Sequence, residues 1–174
     1  MIEVRPVYSI PEGEYTFEKL MELDPETAHY TDLAIRRWSE VLKPLPEVFS
    51  NIEYRRVNLE DINSWVSLVY GWYVKGMDNT VRDFEMGKIS KEELCTFKVM
   101  FCNGADYIGF VSELAEDFER IDKLVDLISR TGVYYPPTLD RNLNTIDGAH
   151  RCVALRYLGV REIYAWIFRY VEVD

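Results

Sequence analysis

The sequence predicts an α+β fold, and three observations lead there. Segments 2–7 and 52–57 alternate apolar and polar residues as half-buried strands do. From Ser112 to Arg130 apolar residues recur at helical spacing. Residues 133–171 instead break into short β-branched and aromatic runs separated by Gly, Asn and Asp. With 174 residues, 48% of them apolar, the chain can bury the core of one domain. Charged residues at 29%, with only 9 Gly and 7 Pro, exclude collagen-like and disordered classes.

Taken in order, Ile2-Glu3-Val4-Arg5-Pro6-Val7 reads as a strand. Asp24-Pro25 then opens a helix, Asp24 as N-cap and Pro25 at its first position, with Ala28, Ile35, Trp38 and Leu42 along it and an end at Lys43-Pro44. Residues 52–57 form the second strand. Asn58, with Asp61 three residues on, reads as the cap of a helix that buries Ile62, Trp65, Val66, Val69 and Trp72. Ser90-Lys91-Glu92-Glu93 is a capping box for a further helix closing near Asn103-Gly104. The helix from Ser112 to Arg130 places Leu114, Phe118, Ile121, Leu124, Val125 and Ile128 on one face, and Gly132 stops it.

Beyond it, Val133-Tyr134-Tyr135 reads as a strand, and Thr138-Leu139 with Thr145-Ile146 as a hairpin around a polar turn. Asp147-Gly148 opens a short helix that Gly159 ends, and Glu162 to Val171 reads as one strand, apolar enough to be central.

Net charge is −10, a field that repels phosphate backbones and disfavours simple nucleic-acid binding. Residues 130–174 depart from this, with six Arg against five acids. Arginine is suited to bidentate contacts with phosphate. Three cysteines, Cys95, Cys102 and Cys152, without a C-x-x-C pair, indicate neither a disulfide framework nor a zinc site. The first residues lack a signal-peptide apolar stretch, and no run approaches the ~18 apolar residues of a membrane span. The expectation is a cytoplasmic protein with no membrane partner.

Common phosphate-loop, dinucleotide, zinc-protease and serine-hydrolase signatures are absent. What stands out is Ile146-Asp147-Gly148-Ala149-His150-Arg151, where a strand turns directly into a helix. A helix's first turn offers unpaired N–H groups and the positive end of its dipole. Gly148 lets a ligand approach the backbone, His150 and Arg151 add donors, and Arg141 can fold over from the hairpin. A phosphate chain suits such a site. The plainer reading makes Asp147 an N-cap, Gly148 a turn residue, and His150 and Arg151 solvated polar groups.

The surroundings of this box resemble the ParB/sulfiredoxin superfamily. The resemblance runs through Leu124 to the Gly132 stop, Tyr135-Pro136-Pro137-Thr138-Leu139, Thr145 to Arg151, Ala154-Leu155-Arg156-Tyr157-Leu158-Gly159-Val160, and Glu162 to Phe168. Glu53 to Ile62 is similar to the family's first strand and the turn after it. The resemblance implies a small mixed sheet flanked by helices, with 112–174 as a nucleotide-box core, 1–50 as a helical N-terminal extension and 63–111 as a helical insertion. It implies ATP or another nucleoside triphosphate, with Mg²⁺, bound by Gly148, Ala149, His150, Arg151 and Arg141.

Members include sulfinic-acid repair enzymes, partition clamps and kinases of small hydroxyl compounds such as free serine, so fold does not choose among activities. The repair enzymes place a reactive Cys where this sequence has Ala149. No basic helix-turn-helix segment follows the box, which with the net charge puts the DNA clamp in second place, and the acidic composition argues against a nuclease. The resemblance to the kinases implies Glu60 or Asp61 as general base and Asp147 as a catalytic residue and Mg²⁺ ligand. Asp61 equally fits a helix cap. The expected function is therefore an ATP-dependent phosphotransferase, a kinase acting on a small hydroxyl-bearing substrate. The alternative is a nucleotide switch or regulatory module, non-catalytic or hydrolysing the nucleotide, that acts through protein partners or as a homodimer.

Overall fold

The computed structural model describes residues 2–62, 65–75, 86–93 and 107–173. The N-terminal part runs through β1 (Arg5–Pro6), β2 (Gly13–Tyr15), α1 (Phe17–Leu23), α2 (Pro25–Trp38), β3 (Ser39–Val41) and α3 (Leu45–Ser50). Next come β4 (Ile52–Asn58), a 3₁₀ turn (Leu59–Asp61), α4 (Trp65–Lys75) and α5 (Tyr107–Thr131). The C-terminal part comprises β5 (Val133–Tyr134), β6 (Thr138–Asp140), β7 (Thr145–Asp147), α6 (Ala149–Tyr157), β8 (Glu162–Phe168) and β9 (Val171–Val173). The architecture is α+β, built on a five-stranded mixed sheet in the order β2-β4-β8-β6-β7.

β8 lies in the middle because both of its faces are apolar. Ile163, Ala165 and Ile167 enter one core, while Trp166 and Phe168 enter the other. A strand covered on both sides reads as a continuous apolar run rather than an alternation. It pairs antiparallel with all of β4, from Ile52 opposite Phe168 to Asn58 opposite Glu162. With β6 it is parallel, which requires a crossover, and α6 supplies it.

The first core joins that face of the sheet to α4, α5 and α6 through Val66, Val69, Phe118, Ile121, Ile128 and Cys152. The second joins the other face to α1, α2 and α3 through Leu20, Ala28, Ile35 and Val48. Among the described residues, 2–50 therefore supply the helices of the second layer as well as strands β1 to β3. Tyr8, Tyr15 and Tyr54 gather around Trp166, whose indole N–H donates to the Tyr8 hydroxyl at 2.8 Å.

Several expected boundaries move, each for a tertiary reason. The strand expected over 2–7 shrinks to Arg5–Pro6, paired in parallel with β5. The helix opened by Asp24 stops at Trp38 rather than at Lys43, because Ser39–Val41 pairs with β9. Trp38, at a periodic position of that helix, is 72% exposed. The final strand breaks at Phe168, and Val171–Val173 turns away to meet β3. Asn58 caps only a 3₁₀ turn, by accepting the Glu60 N–H, before α4 begins. Ile62, Val66 and Val69 are buried as expected.

Helix α5 begins earlier than expected and ends as expected, with Gly132 in the left-handed region at φ +68°. Ser90 and Glu93 form the reciprocal pair of a capping box. The helix end near Asn103-Gly104, and Cys95 and Cys102, lie outside the described residues, as do the side chains of Trp65 and Trp72. Among the described residues no helix is long and apolar enough to cross a membrane.

Candidate functional site

The box sits where β7 ends and α6 begins. Gly148 is the N-cap of α6, at φ +101°, and no side chain caps the helix there. The expectation that Asp147 caps this helix therefore fails. Its carboxylate turns to Arg151, one helical turn on, and Oδ2 accepts from Nη2 at 2.9 Å. Space also requires glycine at 148, since a Cβ there would lie 2.8 Å from both Arg151 Nη2 and Pro137 Cβ. With no side-chain cap, the first N–H groups of α6 lack an intrahelical acceptor.

Arg151 is the hub. Its Nη1 donates to the Tyr135 carbonyl at 3.0 Å and lies 3.9 Å from Asp24 Oδ2. Asp24 caps α2, its Oδ1 accepting the Thr27 N–H at 3.1 Å. The other oxygen, Oδ2, is buried and accepts no hydrogen bond. Burial raises the Asp147 carboxyl above its ordinary range; the Arg151 charge opposes this and the Asp24 charge reinforces it. Thr138 supports the floor, sharing a 2.8 Å hydrogen bond with Thr31 of α2 and accepting the Asp147 N–H. His150 bonds through Nε2 to Asp117 Oδ1 of α5 at 2.7 Å, so the box is tied to both helical layers.

A cavity of about 510 Å³ opens over this arrangement. Its wall combines the first turn of α2 (Pro25, Glu26, Thr27) with the first turn of α6 (Gly148, His150, Arg151), and Tyr30 and Tyr135 flank it. Two helix N-termini thus face one cavity. That of α2 has the Asp24 carboxylate as its cap, and at α6 the Asp147 carboxylate takes the Gly148 N–H, which leaves the N–H groups after Gly148 as those able to receive an anion.

Comparisons with family models, curated proteins and solved structures find no match.

Of the residues singled out in the sequence, Asp147, Gly148, Ala149, His150 and Arg151 come together at the opening of α6. Arg141 does not join them. It lies at the opposite end of the β6–β7 hairpin, with Nε 3.6 Å from Glu172. Glu60 and Asp61 follow β4 at the level of Glu162, whereas the box is level with Trp166 through Thr138. That is about 13 Å along the sheet, with further strand spacings across it. A base at Glu60 or Asp61 is thus remote from the box.

A resident Mg²⁺ held by Asp147 does not fit these donors. The Arg151 guanidinium already fills the position between Asp24 and Asp147 that a cation would take. Cys152, directly after Arg151, is fully buried, and burial pushes its thiol up to about 12, so it offers no thiolate. Sequence reasoning missed Asp24 and Asp117. Asp24 was legible as a cap, but nothing in Asp-Pro signals that its second oxygen reaches the box. Nothing local marks Asp117, one of several acids on α5.

Proposed function

We propose that the protein binds a magnesium nucleoside triphosphate, ATP in the first instance, and transfers its terminal phosphoryl group to a small hydroxyl-bearing acceptor. The observation that carries this reading is the opening of α6, without a side-chain cap, onto a 510 Å³ cavity walled by Arg151. Unpaired N–H groups, the helix dipole and a guanidinium fork suit a phosphate chain. Gly148 lets the Arg151 guanidinium pack directly against the start of the helix. The strand–glycine–helix order and the mixed sheet behind it support placing the chain with ParB/sulfiredoxin-like folds.

Asp24, Glu26 and Asp147 also line the cavity, so a bare polyanion would meet carboxylates as well as Arg151. A nucleotide that brings its own Mg²⁺ is the better electrostatic partner, and the ion belongs to the substrate rather than to the protein. Arg151 then has two states. It pairs with Asp147, or it turns its fork to the transferring phosphoryl group and offsets charge developing there.

Calorimetric titration with Mg-ATP, Mg-CTP and Mg-GTP tests the proposal on wild type and Arg151→Lys. Lysine preserves the charge that Asp147 and Asp24 require and removes the bidentate fork. The expected result is saturable binding by wild type, weakened about tenfold or more in the variant, the equivalent of ~1.4 kcal/mol. Failure of wild type to bind any of the three overturns the reading. Binding without transfer to any hydroxyl compound leaves the nucleotide-switch alternative.

A further inference from the structure

We propose that Asp24 is the catalytic base of this site, its Oδ2 taking the proton of the acceptor hydroxyl. The inference rests on the phosphotransfer reading above and replaces the base expected at Glu60 or Asp61. Asp24 is only 4% exposed, and its two oxygens are used unequally. Oδ1 does the work of an N-cap. Capping needs one acceptor, and Asn, Ser or Thr serves as well as Asp, so the cap does not account for a second, charged oxygen. That oxygen is buried and accepts no hydrogen bond; the Arg151 guanidinium at 3.9 Å offsets its charge but leaves its lone pairs without a donor.

The position is right for chemistry at the box. Asp24 lines the same cavity as Gly148 and Arg151, and Oδ2 lies 3.9 Å from the guanidinium assigned to the phosphoryl group. Asp147 Oδ2 is already paired with Arg151, and Glu26 is exposed at the rim. Oδ2 is out of reach of solvent beside Arg151, and a phosphoryl group that draws the guanidinium toward itself opens the way to it. The step balances without another reactant. The acceptor O–H bond breaks and its proton passes to Asp24 Oδ2. The acceptor oxygen bonds to the terminal phosphorus as the bond from that phosphorus to the β–γ bridging oxygen breaks. The bridging electron pair leaves with the nucleoside diphosphate, and Asp24 returns its proton to water when the products depart.

The decisive variant is Asp24→Asn, which keeps an acceptor for the Thr27 N–H and removes the base; Asp24→Ser, a second capping residue, guards against a fold-specific failure of the first. Thermal unfolding and Mg-ATP affinity are measured beside transfer of the labelled terminal phosphate to glycerol, ethanolamine and L-serine, which span neutral, cationic and zwitterionic acceptors. Both variants are expected to unfold cooperatively and to keep saturable Mg-ATP binding, while transfer at saturating Mg-ATP falls by about a hundredfold or more. Transfer by either folded variant at near wild-type rate overturns the role of Asp24 and leaves the phosphotransfer reading standing. Absence of Mg-ATP binding or of any transfer by wild type overturns that reading and this inference together.

Discussion

Asp147 is a charge held in a place that disfavours charge. Burial raises its carboxyl above the ordinary value of 3.8, even with Arg151 bonded to it. A raised folded-state value means that folding favours the protonated acid. The contribution to stability is therefore fully present below about pH 3.8 and is lost as pH rises through the folded-state value. Asp147→Asn cannot titrate. Urea unfolding of both proteins from about pH 3 to pH 7 is expected to favour wild type most at the acid end, the difference shifting toward the variant as pH rises. A difference that stays flat over that range would remove this account of Asp147. At the same scale, the box was legible because its members are neighbours: Asp147 and Arg151 are one helical turn apart, and Gly148 lies between them. Asp24 reaches the same guanidinium only through the packing of α2 against β7, and no local pattern encodes that.

Among the elements, the β6–β7 hairpin owes its shape to one buried carboxylate. Asp140 has no exposure, and it accepts from the N–H groups of Asn142 and Asn144 at 2.8 Å and from that of Val173 at 2.7 Å. The Asn144 side-chain amide donates to it as well. A single side chain thus closes the turn and anchors β9. Asp140→Ala leaves several part-buried donors without their acceptor and is expected to cost roughly 2 kcal/mol, read from the urea midpoint and slope. A loss below about 1 kcal/mol would mean that water replaces the carboxylate. The hairpin was expected from alternation and turn residues, as were β4, β8 and the Gly132 stop, because each has a local cause. The end of α2 was not. Helical periodicity continues past Trp38 as far as Leu42, but Ser39–Val41 is claimed by β9, a strand that lies far along the chain. Where a distant partner competes with local propensity, packing decides.

At the scale of the molecule, residues 2–50, for which no motif was found, complete the sheet's second face. The link is concentrated at Trp166, whose N–H bonds to Tyr8 beneath the aromatic cluster. Trp166→Phe keeps a ring and removes that donor. With the cavity that the smaller ring leaves, it is expected to cost about 2 kcal/mol or more and to speed amide exchange around residues 5–8 more than in α5. Equal protection of the two regions in wild type and variant would show the bond to be incidental. The pairing of β4 with β8 carries a consequence for how the protein acquires its shape. The longest ladder of the sheet joins residues 52–58 to residues 162–168, and β3 waits similarly for β9. Such contacts close long loops before they are rewarded, which slows folding. On the ribosome, the apolar sides of β4 and of the N-terminal helices stay without their partner strand until residues 162–168 have been synthesised. The nascent chain thus presents sticky surface throughout that interval, and its yield in the cell is expected to respond strongly to chaperone supply.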